Sequence, residues 1–172
     1  MMDDGILWLR ALEPTDLDTL YRWENDSSLW DVGCSIAPFS RKQLWDYIEN
    51  YDADIFNARQ LRLIVEEKAS GKAVGTIDMY DFDPVHRRAW VGVLIDSAVS
   101  HRGYGTRALE LLARYASDRL GVHQLMAVVP EGNEWSCRLF EKCGYHRSGI
   151  LIDWLRAGSV YRDAVIFQLI LE

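Results

Sequence analysis

The run Ser100-His101-Arg102-Gly103-Tyr104-Gly105-Thr106 has the residue types and spacing of an anion cradle. An apolar, strand-like segment from Trp90 to Ile95 precedes it. A helical pattern follows, with Ala108, Leu109, Leu112, Ala113, Ala116 and Leu120 on one face. Glycines let the backbone come close to a ligand. The first turn of the helix offers N–H groups without partners, and the positive end of its dipole suits a phosphate or pyrophosphate. The same residues also make an ordinary glycine turn that opens a helix. A Walker loop is excluded, because no Lys-Ser/Thr pair follows the last glycine. A dinucleotide fingerprint is excluded, because it needs a third glycine in the first βα unit. The four histidines are scattered without ligand spacing, so no metal site is expected.

The elements that must hold this loop can be read from pattern. Ile6 to Ala11 alternates as a first strand. Pro14-Thr15-Asp16-Leu17-Asp18 opens a helix, with Thr15 as its N-cap. Ser40 and Gln43 form a capping box for a second helix, with Phe39 placed to staple against Leu44. Asn25 to Pro38 lies between them as a long irregular connection, a common place for function. Leu61 to Val65 and Ala73 to Tyr80 are strands around the Lys68-Ala69-Ser70-Gly71 turn, and Ala89 to Ile95 follows Asp83-Pro84. After the long helix, Gln124 to Val129 is an apolar strand, and Asn133 to Lys142 is a helix ended by Gly144. Gly149 to Leu155 and Val160 to Leu171 form a final hairpin.

Length and composition narrow the class. A chain of 172 residues, 49% hydrophobic, builds one domain over residues 1–172 with a sizeable core. No apolar run nears the roughly 20 residues that span a bilayer, so no membrane partner is expected. Met1-Met2-Asp3-Asp4 lacks a basic-then-apolar leader pattern. Three cysteines, Cys34, Cys137 and Cys143, are odd in number and lack zinc spacing, which fits reduced thiols in a cytoplasmic protein. The net charge of −7 argues against nucleic acid and suits a cationic amine, although a solvated acidic surface explains it equally.

The stretch from Gly92 to Thr106 resembles motif A of the GCN5-related N-acetyltransferases, whose loop reads Gln/Arg-x-x-Gly-x-Gly/Ala. Gly103 and Gly105 match; Ser100 stands where Gln or Arg is usual. Arg22-Trp23-Glu24-Asn25-Asp26, His86-Arg87-Arg88-Ala89 and Tyr161-Arg162-Asp163-Ala164 look like the ribosomal-protein and spermidine acetyltransferase branch. The resemblance implies an α/β (α+β) fold in the order β-α-α-β-β-β-α-β-α-β-β. Its mixed, mostly antiparallel sheet would have helices on both faces. It implies acetyl-CoA as co-substrate, held by Ser100, His101, Arg102, Gly103, Tyr104, Gly105 and Thr106 at the pyrophosphate. Val93, Leu94 and Ile95 would pair with the pantetheine arm, the alternative being plain pairing with the next strand. Asn133 matches an asparagine that contacts pantetheine and also reads as a helix cap; Ser136 matches a small residue beside it.

The resemblance implies acetyl transfer to a primary amine, on a small molecule or a peptide, by direct attack in a ternary complex. Phe140 stands where many relatives carry a tyrosine, assigned as the acid that protonates the leaving thiolate. Phenylalanine has no proton to give. Water or Tyr145 are the substitutes, although Tyr145 also reads as a core aromatic. The amine must lose a proton, and Asp78 and Asp81 are the candidate carboxylates. Thr76, Asp78 and Tyr80 share one strand face. Asp81 matches an acidic position that faces the polyamine in spermidine acetyltransferases. The acidic pair of that branch is missing at Cys34-Ser35-Ile36-Ala37. Two rivals stand beside the leading reading: a polyamine acetyltransferase, and an acyl-CoA-binding module without turnover. A homodimer or larger homo-oligomer is compatible with all three.

Overall fold

A computed structural model of the chain describes residues 2–26 and 37–171. β1 (Leu7–Arg10) leads through a 3-10 turn at Pro14–Asp16 into α1 (Leu17–Glu24). After α2 (Arg41–Glu49) and the short α3 (Ile55–Ala58) come β2 (Leu61–Glu67), β3 (Lys72–Asp83) and β4 (Arg88–Ile95). The long α4 (Tyr104–Leu120) connects to β5 (Gln124–Pro130), followed by α5 (Glu134–Lys142), β6 (His146–Ala157) and β7 (Val160–Ile170). The strands form one sheet in the order β1-β2-β3-β4-β5-β7-β6. Every neighbouring pair is antiparallel except β4 and β5, which α4 joins as a parallel crossover.

The two-residue period of β2 explains why helices lie on both faces. Ile64 points into a cluster with Leu20 and Trp23 of α1 and Leu44 and Ile48 of α2. Its neighbours Leu63 and Val65 point the other way, into a core shared with Leu109 and Leu112 of α4 and Leu139 of α5. Buried on both sides, β2 reads as a nearly continuous apolar run.

Most local signals hold. Ser40 accepts from the Gln43 N–H at 3.1 Å, and the Gln43 side chain accepts from the Ser40 N–H at 2.8 Å. Phe39 packs on the cluster that contains Leu44. Thr15 is a correction. Pro14 occupies the first position of the turn, and the Asp16 carboxylate accepts from the Glu13 N–H at 2.8 Å, so the cap lies two residues earlier. α3, capped by Asp54, is an addition too short for helical periodicity to reveal.

Two features of the sheet position the site. β4 and β5 pair only at Arg88↔Gln124, Ala89↔Leu125 and Trp90↔Met126, then part. Val91 to Ile95 keeps its β3 partners, and Ala127 to Pro130 keeps its β7 partners. A wedge opens between them. At its far end β3 and β4 approach so closely that a Cβ on Gly75 would lie 2.1 Å from the Leu94 carbonyl oxygen; only glycine fits. Asp96, just after β4, ties that end to α1. It accepts from Trp23 Nε1 at 2.9 Å and pairs with Arg22 at 2.8 Å. Burial raises its carboxyl pKa, but Trp23, the Ala98 N–H and Arg22 outweigh burial and hold it below the ordinary value. This tie therefore stabilises the fold at neutral pH and is lost as the pH falls through the depressed value.

Candidate functional site

The glycine run lies at the start of α4, as its pattern predicts. Gly103 takes the left-handed conformation, φ 80°, as N-cap of the 17-residue helix, and open space surrounds the position of a Cβ. His101 is left-handed too, φ 64°. A groove of about 280 Å³ lies over this turn. His101, Gly103, Tyr104, Gly105 and Thr106 line it from the loop side. Ser100 and Arg102 do not. The Ser100 hydroxyl donates to the Ser97 carbonyl at 3.0 Å, and Arg102 lies beside the hydrogen-bonded pair of Tyr104 and Glu67.

Gly105 has a second reason to be glycine. A Cβ there would sit 3.2 Å from Leu139 of α5 and 3.7 Å from Ile95, so α4 and α5 meet at this point. α5 also closes the groove with Trp135, Arg138 and Lys142. The sequence reading omitted all three. Their spacing of three and four residues puts them on one helical face, a signal that was present.

Ile95 and Trp135 also line a larger cleft of about 420 Å³, which fills the wedge between β4 and β5. Val93, Leu94 and Ile95 form one wall, with a backbone edge that β5 leaves unpaired. Asn133, Ser136 and Phe140 form the facing wall. Asn133 caps α5, its Oδ1 accepting from the Ser136 N–H at 3.1 Å. Capping uses only the carbonyl oxygen of that amide; the nitrogen is not part of it.

Phe140 is buried at the cleft wall. Its ring stacks on Phe167 with centroids 5.8 Å apart and meets Tyr145 edge-on at 5.1 Å. Tyr145 is buried behind it and is not among the lining residues. Burial pushes its phenol above the ordinary value, and its hydroxyl has no hydrogen-bond partner among the described residues. It is a core aromatic. Because an unpartnered buried hydroxyl is costly, Tyr145→Phe should stabilise the fold by about 1 kcal/mol. A melting curve checks this; a lower Tm would mean that the hydroxyl has a partner. Burial likewise pushes the Cys143 thiol up to about 11, the state of a packing residue rather than a nucleophile.

At the opposite end of the cleft stand the carboxylates. Thr76, Asp78 and Tyr80 all line it, on the single face that strand periodicity predicts. Glu24 of α1 and Arg62 of β2 join them, and the sequence reading omitted both. Arg62 pairs across the strands with Asp78 at 2.6 Å and reaches Glu24 at 2.9 Å. Asp81 is not brought to this group. β3 carries one extra residue between Tyr80 and Asp83, and Asp81 sits in that bulge, left-handed at φ 48° and exposed. The expected acceptor loop, Asn25 to Pro38, lies largely outside the described residues, as do Cys34, Ser35 and Ile36. Asn25 itself joins the two ends: its side chain donates to the Tyr21 and Phe39 carbonyls at 3.0 Å and accepts from the Phe39 N–H at 2.8 Å.

The sequence and the fold of the chain are similar to those of known proteins. A family profile described as Acetyltransferase (GNAT) domain matches residues 7–146. Spermidine N(1)-acetyltransferase of Escherichia coli strain K12 is 28% identical over 163 residues, covering 93% of this chain and 85% of that protein. A putative ribosomal N-acetyltransferase of Bacillus subtilis strain 168 is 26% identical over 177 residues, covering 94% and 90%. The crystal structure of spermidine N-acetyltransferase from Vibrio cholerae in complex with CoA and spermine superposes with a TM-score of 0.84. It is 22% identical, covering 98% of this chain and 97% of that one.

Proposed function

The chain belongs to the acetyltransferase (GNAT) family and is an acetyl-CoA-dependent N-acetyltransferase; from that premise we propose how its residues divide the work. One observation carries the proposal: β4 and β5 part after Trp90↔Met126, and the cleft so opened, lined by Glu24 and Asp78, adjoins the glycine-loop groove at Ile95 and Trp135. The residues fit acetyl-CoA. The Gly103–Thr106 turn suits its pyrophosphate, with Arg138 and Lys142 supplying positive charge in the same groove that His101 lines. The free edge of Val93, Leu94 and Ile95 suits the two amides of pantetheine, and Asn133 and Ser136 lie where the arm would pass. Bound there, the co-substrate supplies an activated acetyl carbon.

This chain's residues then position and deprotonate. Asp78 holds the acceptor ammonium and takes its proton directly or through water. The neutral amine forms the C–N bond as the C–S bond breaks, and β4 backbone N–H groups stabilise the developing oxyanion. The sulfur departs as thiolate, which its ordinary pKa of roughly 8.5 makes tolerable without a tyrosine at Phe140, and the nitrogen's second proton passes to that thiolate or to water. The acceptor is a primary amine on a small molecule or a peptide. A polyamine is the second reading, supported by the spermidine acetyltransferases among the relatives. The proposed setting is cytoplasmic. Self-association is also proposed: Ile150, Ile152, Trp154 and Tyr161 leave an exposed apolar surface on the β6–β7 hairpin, which suits a second copy of the chain.

Thiol release from acetyl-CoA, measured against amino acids, polyamines, aminoglycosides and peptide N-termini, tests the function. No release with any of them, while acetyl-CoA still binds, would contradict the acceptor assignment. Within the site, Asp78→Asn should lower kcat, raise KM for the amine roughly five- to tenfold and leave KM for acetyl-CoA nearly unchanged. Asp81→Asn should change none of these. If the amine effect appears at Asp81 instead, the acceptor path runs over the β3 bulge.

A further inference from the structure

Arg62 is the lining residue hardest to reconcile with an amine site, because it puts a cation where a cation must bind. It is built in firmly. Its Nε donates to Asp78 at 2.6 Å, its Nη1 donates to Glu24 at 2.9 Å, and its guanidinium lies 5.7 Å from the centre of the Tyr47 ring. The Tyr51 hydroxyl bonds to both the carbonyl and the N–H of Arg62, which pins the backbone as well. Three-quarters or more of each of the three charged side chains is shielded from solvent. Among the described residues that line the cleft, Glu24, Asp78 and Arg62 are the only aspartate, glutamate, lysine or arginine side chains.

The charges decide what fits. Among the described lining residues, two carboxylates and one guanidinium leave one net negative charge in a half-buried cleft. One ammonium brings that total to zero. A second ammonium nearby leaves a net positive charge beside Arg62, where water screens poorly. From this balance we infer that Arg62 is a specificity residue that tunes the site to acceptors carrying a single ammonium group and disfavours diamines and polyamines. Rejection through a built-in like charge is a recognised route to specificity. The inference rests on the acceptor-site reading above and narrows it to monocationic amines.

Matched amines of one chain length test it: n-butylamine and 1,4-diaminobutane, assayed by thiol release at saturating acetyl-CoA. The wild-type protein should show the higher kcat/KM with n-butylamine. Arg62→Gln should shift the preference toward the diamine roughly tenfold or more, with acetyl-CoA affinity unchanged by calorimetry. Arg62→Lys keeps the charge and should keep the wild-type preference. Glu24→Gln moves the balance the other way, to zero, and should raise KM for the diamine more than for n-butylamine. It supplies the charge test if Arg62→Gln melts below the assay temperature. A wild-type preference for the diamine, or an equal loss for both amines in folded Arg62→Gln, overturns the inference and leaves acetyl transfer standing. Absence of thiol release with every amine would overturn the acceptor-site reading, and the inference with it.

Discussion

Gly105→Val is expected to weaken acetyl-CoA binding by about 10- to 100-fold. That range corresponds to losing a hydrogen bond or so to a charged phosphate, worth roughly 1.5–3 kcal/mol. Gly105 lies in the first turn of α4, whose N–H groups form the proposed cradle, and a Cβ there already presses on Leu139 at 3.2 Å. The two further methyl groups of valine have no room between the helices. Either α5 moves away, taking Trp135, Arg138 and Lys142 out of place, or the turn shifts and misaims its N–H groups. Overpacking of this kind typically costs about 1–3 kcal/mol, so a lower Tm should accompany the loss. Calorimetry on the folded variant is the deciding measurement. Unchanged affinity would remove the α4 turn from the cofactor site.

Phe140→Tyr should raise turnover where thiolate departure limits the rate. Phe140 lines the cleft between Asn133 and the β4 edge, and a para-hydroxyl is the one group it lacks as a proton donor. General acid catalysis is typically worth ~10²–10⁴-fold, and less would be seen when product release limits kcat. The ring is packed against Tyr145 and Phe167, so the new hydroxyl must point into the cleft to avoid a buried, unpartnered oxygen. Turnover and melting temperature measured together separate the outcomes. A faster enzyme of similar stability makes this an acid position. A less stable enzyme with no gain would show that proton delivery comes from water or is not needed.

These two positions also show how the sequence and the fold share the information. The glycine turn opening α4, the Asn133 cap of α5, the Ser40–Gln43 box and the common face of Thr76, Asp78 and Tyr80 were all legible in the chain. Each depends on neighbours within four residues, or on the fixed periods of helix and strand, and local geometry is written in local spacing. The resemblance of the Gly92–Thr106 stretch to an acetyltransferase motif was legible for the same reason. Asp81 shows the limit. It is three residues from Asp78 in the chain, but one inserted residue in β3 turns it out to solvent, and only the pairing of β3 with β4 reveals the bulge.

Tertiary structure alone decided the rest. Arg62 meets Asp78 because β2 and β3 pair in that register, and meets Glu24 because α1 packs over the same face. Leu139 reaches Gly105 because α4 and α5 pack together in the same core cluster. The cleft itself is a failure of pairing between β4 and β5, and neither strand's sequence marks where it stops. Sequence by itself determined most of the elements, the short α3 excepted, and which residues each can present. The charge balance around Arg62, the helix contact at Gly105 and the wedge between β4 and β5 arise from residues far apart in the chain, and their free energies exist only once the sheet has chosen its register.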